Sequence, residues 1–139
     1  MELIRMGALE IRFLRSKHDT GGALDMFELL VPPGARVPVA HYHERWEETV
    51  YGLEGEMTWI IGGEEITTGP GDHAFIPRGV VHQFVNRAAR AARVLGVLTP
   101  GVLGPEYFRE LAILINAGPP DPAAIGAIMR RHGLIPAPG

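Results

Sequence analysis

The sequence predicts an all-β chain that ends in two short α-helices. Two observations carry this. From the N-terminus to about residue 98, short apolar runs recur at roughly 8–12-residue spacing and are punctuated by Gly and Pro, the pattern of a β-sandwich or barrel. After Thr99-Pro100-Gly101 the apolar period lengthens from that of a strand to that of a helix.

The elements follow in order. In the first strand region, Glu10, Arg12 and Leu14 alternate with Ile11, Phe13 and Arg15. The run Ala23 to Val31 is strand-like, and Pro32-Pro33-Gly34 stops it. Glu47 to Leu53 and Met57 to Ile61 are strands split by Glu54-Gly55-Glu56. Gly62-Gly63 suits a hairpin turn before Glu64 to Thr67. Gly69-Pro70-Gly71-Asp72 turns the chain into His73 to Ile76, and Val81 to Val85 and Arg93 to Leu98 complete the set. Tyr107, Phe108, Leu111, Leu114 and Ile115 then fall on one helical face, which Gly118-Pro119-Pro120 ends. Asp121 is placed as an N-cap with Pro122 at the first helical position. Ile125, Ile128, Met129 and His132 form the face of the second helix, with Gly133 at its C-terminal cap. Two such helices cannot build a core alone, so they are expected to pack on the β unit or a partner subunit. The Pro-rich tail, Pro136 to Gly139, is expected to be loose.

Composition narrows the function. The chain has 139 residues, enough for one core, and a net charge of −3. No basic surface invites nucleic acid or an anionic membrane. There is no cysteine, so a metal must be held by nitrogen and oxygen. Lys17 is the only lysine, in a polar stretch that argues against a Schiff base. The N-terminal stretch lacks the apolar core of a signal peptide, and no apolar run approaches membrane-spanning length, so a cytoplasmic protein is expected.

The chemistry concentrates in HYHERWEETVYGLEGE, His41 to Glu56. Residues two apart on a strand share a face, so His41 and His43 can share one ion while Tyr42 points away. Glu48 lies five residues past His43 and Glu47 competes for the same role. A charged strand with half-exposed histidines and solvated glutamates would carry the same letters. In GDHAFIPRGVVHQFVN, Gly71 to Asn86, Pro77 and Gly79 make a tight turn that leads to His82.

These two stretches resemble the cupin superfamily. The second cupin motif, G(x)5PxG(x)2H(x)3N, is met at every spacing by Gly71, Pro77, Gly79, His82 and Asn86. The first, G(x)5HxH(x)3-4E(x)6G, is met by His41, His43, Glu48 and Gly55, which selects Glu48 over Glu47. One departure is that six residues, not five, separate Gly34 from His41. The resemblance implies a double-stranded β-helix, the jelly-roll cupin barrel, over residues 1–100, with a helical extension over residues 101–139. It implies a metal inside the barrel on His41, His43, Glu48 and His82. Such a set suits a divalent transition metal, whether Mn, Fe, Co, Ni, Cu or Zn. Two open positions on a six-coordinate ion suit chemistry or ligand capture. One pair of motifs implies a single-barrel cupin, commonly a homodimer whose N-terminal strands contribute to the partner's sheet. The C-terminal extension is similar to a tail of small bacterial quercetin-dioxygenase-like cupins.

The expected activity is that of a metal-dependent dioxygenase on a small flavonol- or enol-type substrate, with Glu48 moving between ligand and base if its pKa approaches neutrality. The alternatives are a non-catalytic small-ligand binder and a sugar isomerase or epimerase. The last would need a cationic phosphate site that the sequence does not supply. Trp46, Trp59, Phe75 and Phe84 are expected in the core or cavity wall, and Tyr51 and Tyr107 are candidates for a cavity phenol. Asn86 is expected to bind local backbone, His73 to face solvent or support the ligands, and His18 and His132 to lie at the surface or in caps. Arg45 and Arg78 are expected to be solvated.

Overall fold

Side-chain alternation decides what each strand buries. The computed structural model describes residues 1–137. It contains β1 (Glu2–Met6), β2 (Leu9–Arg15), β3 (Asp25–Val31), β4 (His41–His43), β5 (Glu47–Glu54), β6 (Met57–Ile61), β7 (Glu64–Thr68), β8 (His73–Ile76), β9 (His82–Val85) and β10 (Ala92–Thr99). Then come α1 (Gly104–Asn116), α2 (Pro122–Arg131) and β11 (Leu134–Pro136). In β2, Leu9, Ile11 and Phe13 are buried while Arg12 and Arg15 face water; in β3, Phe27, Leu29 and Val31 are buried.

The strands form two antiparallel sheets. One has six strands in the order β1-β2-β3-β10-β5-β8, the other five in the order β11-β4-β9-β6-β7. Neighbours such as β3 and β10, or β4 and β9, are far apart in sequence, so the chain passes repeatedly between the sheets. This is the jelly-roll barrel. Its core lies between the inner faces and includes Ile11, Val31, Trp59, Ile76 and Leu98, each at most 2% exposed.

The N-terminus of α1 is held from a distance. Its N-cap, Leu103, offers no side-chain acceptor, but the buried carboxylate of Asp25 accepts from Gly104 N (3.0 Å) and Lys17 N (2.7 Å). That carboxylate also sits favourably at the positive end of the helix. Asp121 caps α2 as its sequence position suggests, accepting from Ala123 N at 3.1 Å. Phe108 of α1 meets Phe13 and Phe27 at 5.7 and 5.5 Å, which seats the helix on β2 and β3.

The structure corrects the expectation of a loose tail. Pro136 ends β11, which pairs with β4 as Leu134↔His43, Ile135↔Tyr42 and Pro136↔His41. A proline is tolerated there because β11 is the edge of its sheet. Pro138 and Gly139 lie outside the described residues. Phe75 is also corrected: it is 56% exposed, because the alternation that buries Ala74 and Ile76 turns it outward.

Candidate metal centre

The site lies between the two sheets. His41 and His43 come from β4 and His82 from β9, both in the five-stranded sheet; Glu48 comes from β5 in the other. His41 and His82 stand opposite each other in the β4–β9 pair. Upstream, Arg36 bridges Val85, so five residue steps on one chain match three on the other. The bend at Pro38-Val39 lies within this two-residue excess, in the same segment that carries the extra residue between Gly34 and His41.

The downstream turn is built into the site. Gly79 has φ +77°, a conformation open to glycine, and its N–H donates to His43 O at 2.8 Å. Gly55 closes the other motif, where a Cβ would lie 2.4 Å from Ala91 O. Asn86 is fully buried and bonds backbone only, donating to Val31 O and Arg90 O and accepting from Ala88 N.

Each imidazole is fixed by a backbone carbonyl. Nδ1 of His41 donates to Val39 O (2.8 Å), that of His43 to Trp46 O (2.9 Å) and that of His82 to Val80 O (3.0 Å). A carbonyl only accepts, so each Nδ1 carries a proton, and in the neutral ring Nε2 then keeps its lone pair. One ring nitrogen from each histidine lies within 4.8 Å of the other two. Glu48 Oε1 approaches His43 Nε2 at 3.4 Å and His82 Nε2 at 3.8 Å. His43 Nε2 is buried without a hydrogen-bond partner. Three lone pairs and a carboxylate facing one point repel unless a cation sits among them. The donor set therefore fits a metal ion, and the three-histidine cluster suggests one.

The electrostatics agree. Burial pushes the His41 pKa down to about 4, and the neighbouring His82 adds to this. Burial also lowers His82. For Glu48, burial alone would raise the pKa, but His43, His82 and His41 outweigh it and hold the carboxyl below its ordinary 4.5. Neutral imidazoles beside an ionised carboxylate are the forms that ligate.

Alternation on β5 separates the two glutamates. Glu48 turns inward, whereas Glu47 pairs with Arg78 at the surface. His73 is exposed on β8 opposite Tyr51, itself 44% exposed, so neither reaches the centre. His18 pairs with Glu106, and His132 packs on Tyr107 and bonds Glu110.

A pocket with a cavity volume of about 70 Å³ adjoins the cluster. Trp46, Trp59 and Phe84 line it, as does Tyr107, whose phenol burial holds protonated. The helices' contribution was not legible beforehand: Leu103, Tyr107, Phe108 and Leu111 form a wall, with Met6, Leu9 and Ile11 of the N-terminal hairpin beside them. Among the described residues, no lysine or arginine lines the pocket.

The comparisons with known proteins agree with the fold. The Cupin domain family matches residues 27–98, which is 72 of the 139 residues. Quercetin 2,3-dioxygenase of Bacillus subtilis (strain 168) is 37% identical over 72% of this chain, but the match spans only 29% of that protein. A sugar phosphate isomerase of the cupin superfamily from Silicibacter pomeroyi superposes with TM-score 0.58 at 33% identity, covering 68% of this chain and 60% of that one. The polyketide cyclase RemF from Streptomyces resistomycificus superposes with TM-score 0.61 at 30% identity, covering 70% of this chain and 72% of that one. Its histidine strands paired inside a jelly-roll barrel, and just over half its length matched by the family, this chain belongs to the cupin family.

Proposed function

We propose that His41, His43, His82 and Glu48 hold one divalent transition metal, and that the chain is a dioxygenase-like enzyme acting on a small flavonol- or enol-type substrate. The observation that carries the reading is the shared arrangement of the histidines: three Nδ1–H groups tied to carbonyls, three Nε2 lone pairs turned to one point beside Glu48. A metal bound there would polarise a substrate oxygen and supply redox chemistry. The protein's own part is to orient and exclude water. Glu48, held ionised, accepts a proton only from an acidified hydroxyl. The apolar pocket wall packs the substrate's carbon frame. The likeness to quercetin 2,3-dioxygenase supports this choice of activity. A homodimer is part of the same reading, supported by β1 standing as an unpaired sheet edge with Leu3 exposed.

The test is oxygen uptake with quercetin or a 1,3-diketone, using protein reconstituted separately with Mn, Fe, Co, Ni and Cu. Uptake matched to substrate loss, and absent in His82→Ala, supports the enzyme. No uptake with any metal, together with a ligand-induced thermal shift, favours a non-catalytic binding role. The low proton affinity of Glu48 is the observation on that side. A sugar phosphate substrate fits less well, because no lysine or arginine among the described residues lines the pocket.

A further inference from the structure

The chamber beside the histidines is narrow. Its volume is about 70 Å³, less than half of the roughly 150 Å³ of an apolar cavity that takes up one benzene. At roughly 10–15 Å³ per water-sized group, it has space for about five to seven such groups. A single benzene ring exceeds it.

Residues that narrow the chamber lie outside residues 27–98, the segment shared with the Cupin domain family. On α1, Leu103, Tyr107 and Leu111 recur at four-residue spacing and so form one stripe along the helix. Leu9 and Ile11 of β2 line the chamber with them. None of these residues is more than 5% exposed, although each borders the open space.

The wall is also clamped. At one end of α1, Asp25 accepts from Gly104 N at 3.0 Å. At the other, Asn116 accepts from Gly7 N and donates to Arg5 O, both at 2.8 Å. Arg109 pairs with Glu2 between them, and Phe108 packs on Phe13 and Phe27. These contacts all join α1 to β1, β2, β3 or the turn after β1, so helix and hairpin fix the width of the chamber together.

We propose that the stripe of Leu103, Tyr107 and Leu111 sets an upper size limit on the ligand of the metal centre. Of the flavonol- and enol-type compounds, the chamber then takes only a short acyclic enol or a similarly small oxygen chelator. This rests on the metal-centre reading for where the ligand's oxygens go, whereas the size limit is a property of the wall. Leu111, 1% exposed, is the specificity-determining residue: shortening it to alanine extends the chamber into α1.

The test compares acetohydroxamate with benzohydroxamate, which share a chelating head and differ in bulk. Cobalt(II)-loaded protein reports their binding through its visible absorption. Wild type is expected to bind acetohydroxamate at least about tenfold more tightly than benzohydroxamate. Leu111→Ala should keep its cobalt and reduce that preference by about tenfold. Leu103→Ala is the second variant if Leu111→Ala does not fold, and the wild-type comparison needs neither. Wild type that binds both chelators alike, wild type that ignores acetohydroxamate, or a folded variant with the wild-type preference would each overturn the inference. Metal-free protein is probed separately with benzene, which should raise the melting temperature of Leu111→Ala and leave wild type unchanged. A benzene shift in wild type would also overturn the size limit. Wild-type protein that takes up no cobalt would defeat the metal-centre reading instead, and the benzene measurement would still decide the size limit.

Discussion

His41 and His82 are the one residue pair in register between β4 and β9, and their rings meet edge to face with centroids 4.6 Å apart. Two imidazoles this close, both buried, cannot both carry a proton at low cost. In the metal-free protein this makes the site an acid-sensitive element.

Stability should therefore fall on acidification. The folded pKa of His41 is about 4 against an ordinary 6.5, and His82 shifts the same way. Above pH 6.5 both states are neutral and nothing is lost. Between 6.5 and 4 the unfolded chain takes up protons that the folded chain refuses. His41 alone then removes on the order of 3 kcal/mol. Urea denaturation of chelator-treated protein from pH 7.5 to 4 should show this decline, and His41→Gln should flatten it. A midpoint indifferent to pH in this window would contradict the burial assigned to these rings.

Neighbouring glutamates should behave oppositely. Glu48→Gln should weaken metal binding and abolish any turnover. Glu47→Gln should leave metal content unchanged, since it breaks only a surface ion pair with Arg78 worth about 1 kcal/mol or less. Metal titration of the two variants side by side checks this.

That contrast was partly legible in the sequence. The two-residue spacing of His41 and His43, and the Pro77, Gly79, His82 spacing, placed the three histidines because strand alternation and one tight turn act locally. Phe75 was legible too: the alternation His73, Ala74, Phe75, Ile76 assigns it outward once Ile76 is taken as core, whereas its aromatic character suggested a cavity wall. β11 was hidden because a three-residue strand ending in proline carries no period, and only its partner β4 makes it a strand. The docking of α1 was equally hidden. A helical face shows that something is covered, and the covered surface here comes from β1 and from Phe13 and Phe27 of β2 and β3.

The C-terminal strand should matter to the site as well as to the fold. Leu134 is 4% exposed and sits opposite His43. Leu134→Ala should cost roughly 2–5 kcal/mol and weaken metal binding by loosening β4. Thermal unfolding with and without metal separates the two effects. An unchanged metal affinity would mean that β4 is held by β9 alone.

Gly79→Ala should act through the backbone. At φ +77° an alanine is strained by about 1–2 kcal/mol, and relief of that strain would move the N–H that bonds His43 O. Reduced stability together with reduced metal affinity is expected. A loss of stability alone would place the turn outside the site's support.

The central claim is that one ion occupies the point where His41, His43, His82 and Glu48 converge. Elemental analysis of tag-free wild-type protein beside His82→Ala tests it most directly. The account predicts close to one transition-metal ion per chain in the wild type and little in the variant, with the variant still folded. Metal-free wild-type protein, even after incubation with Mn, Fe, Co, Ni, Cu and Zn, would contradict it.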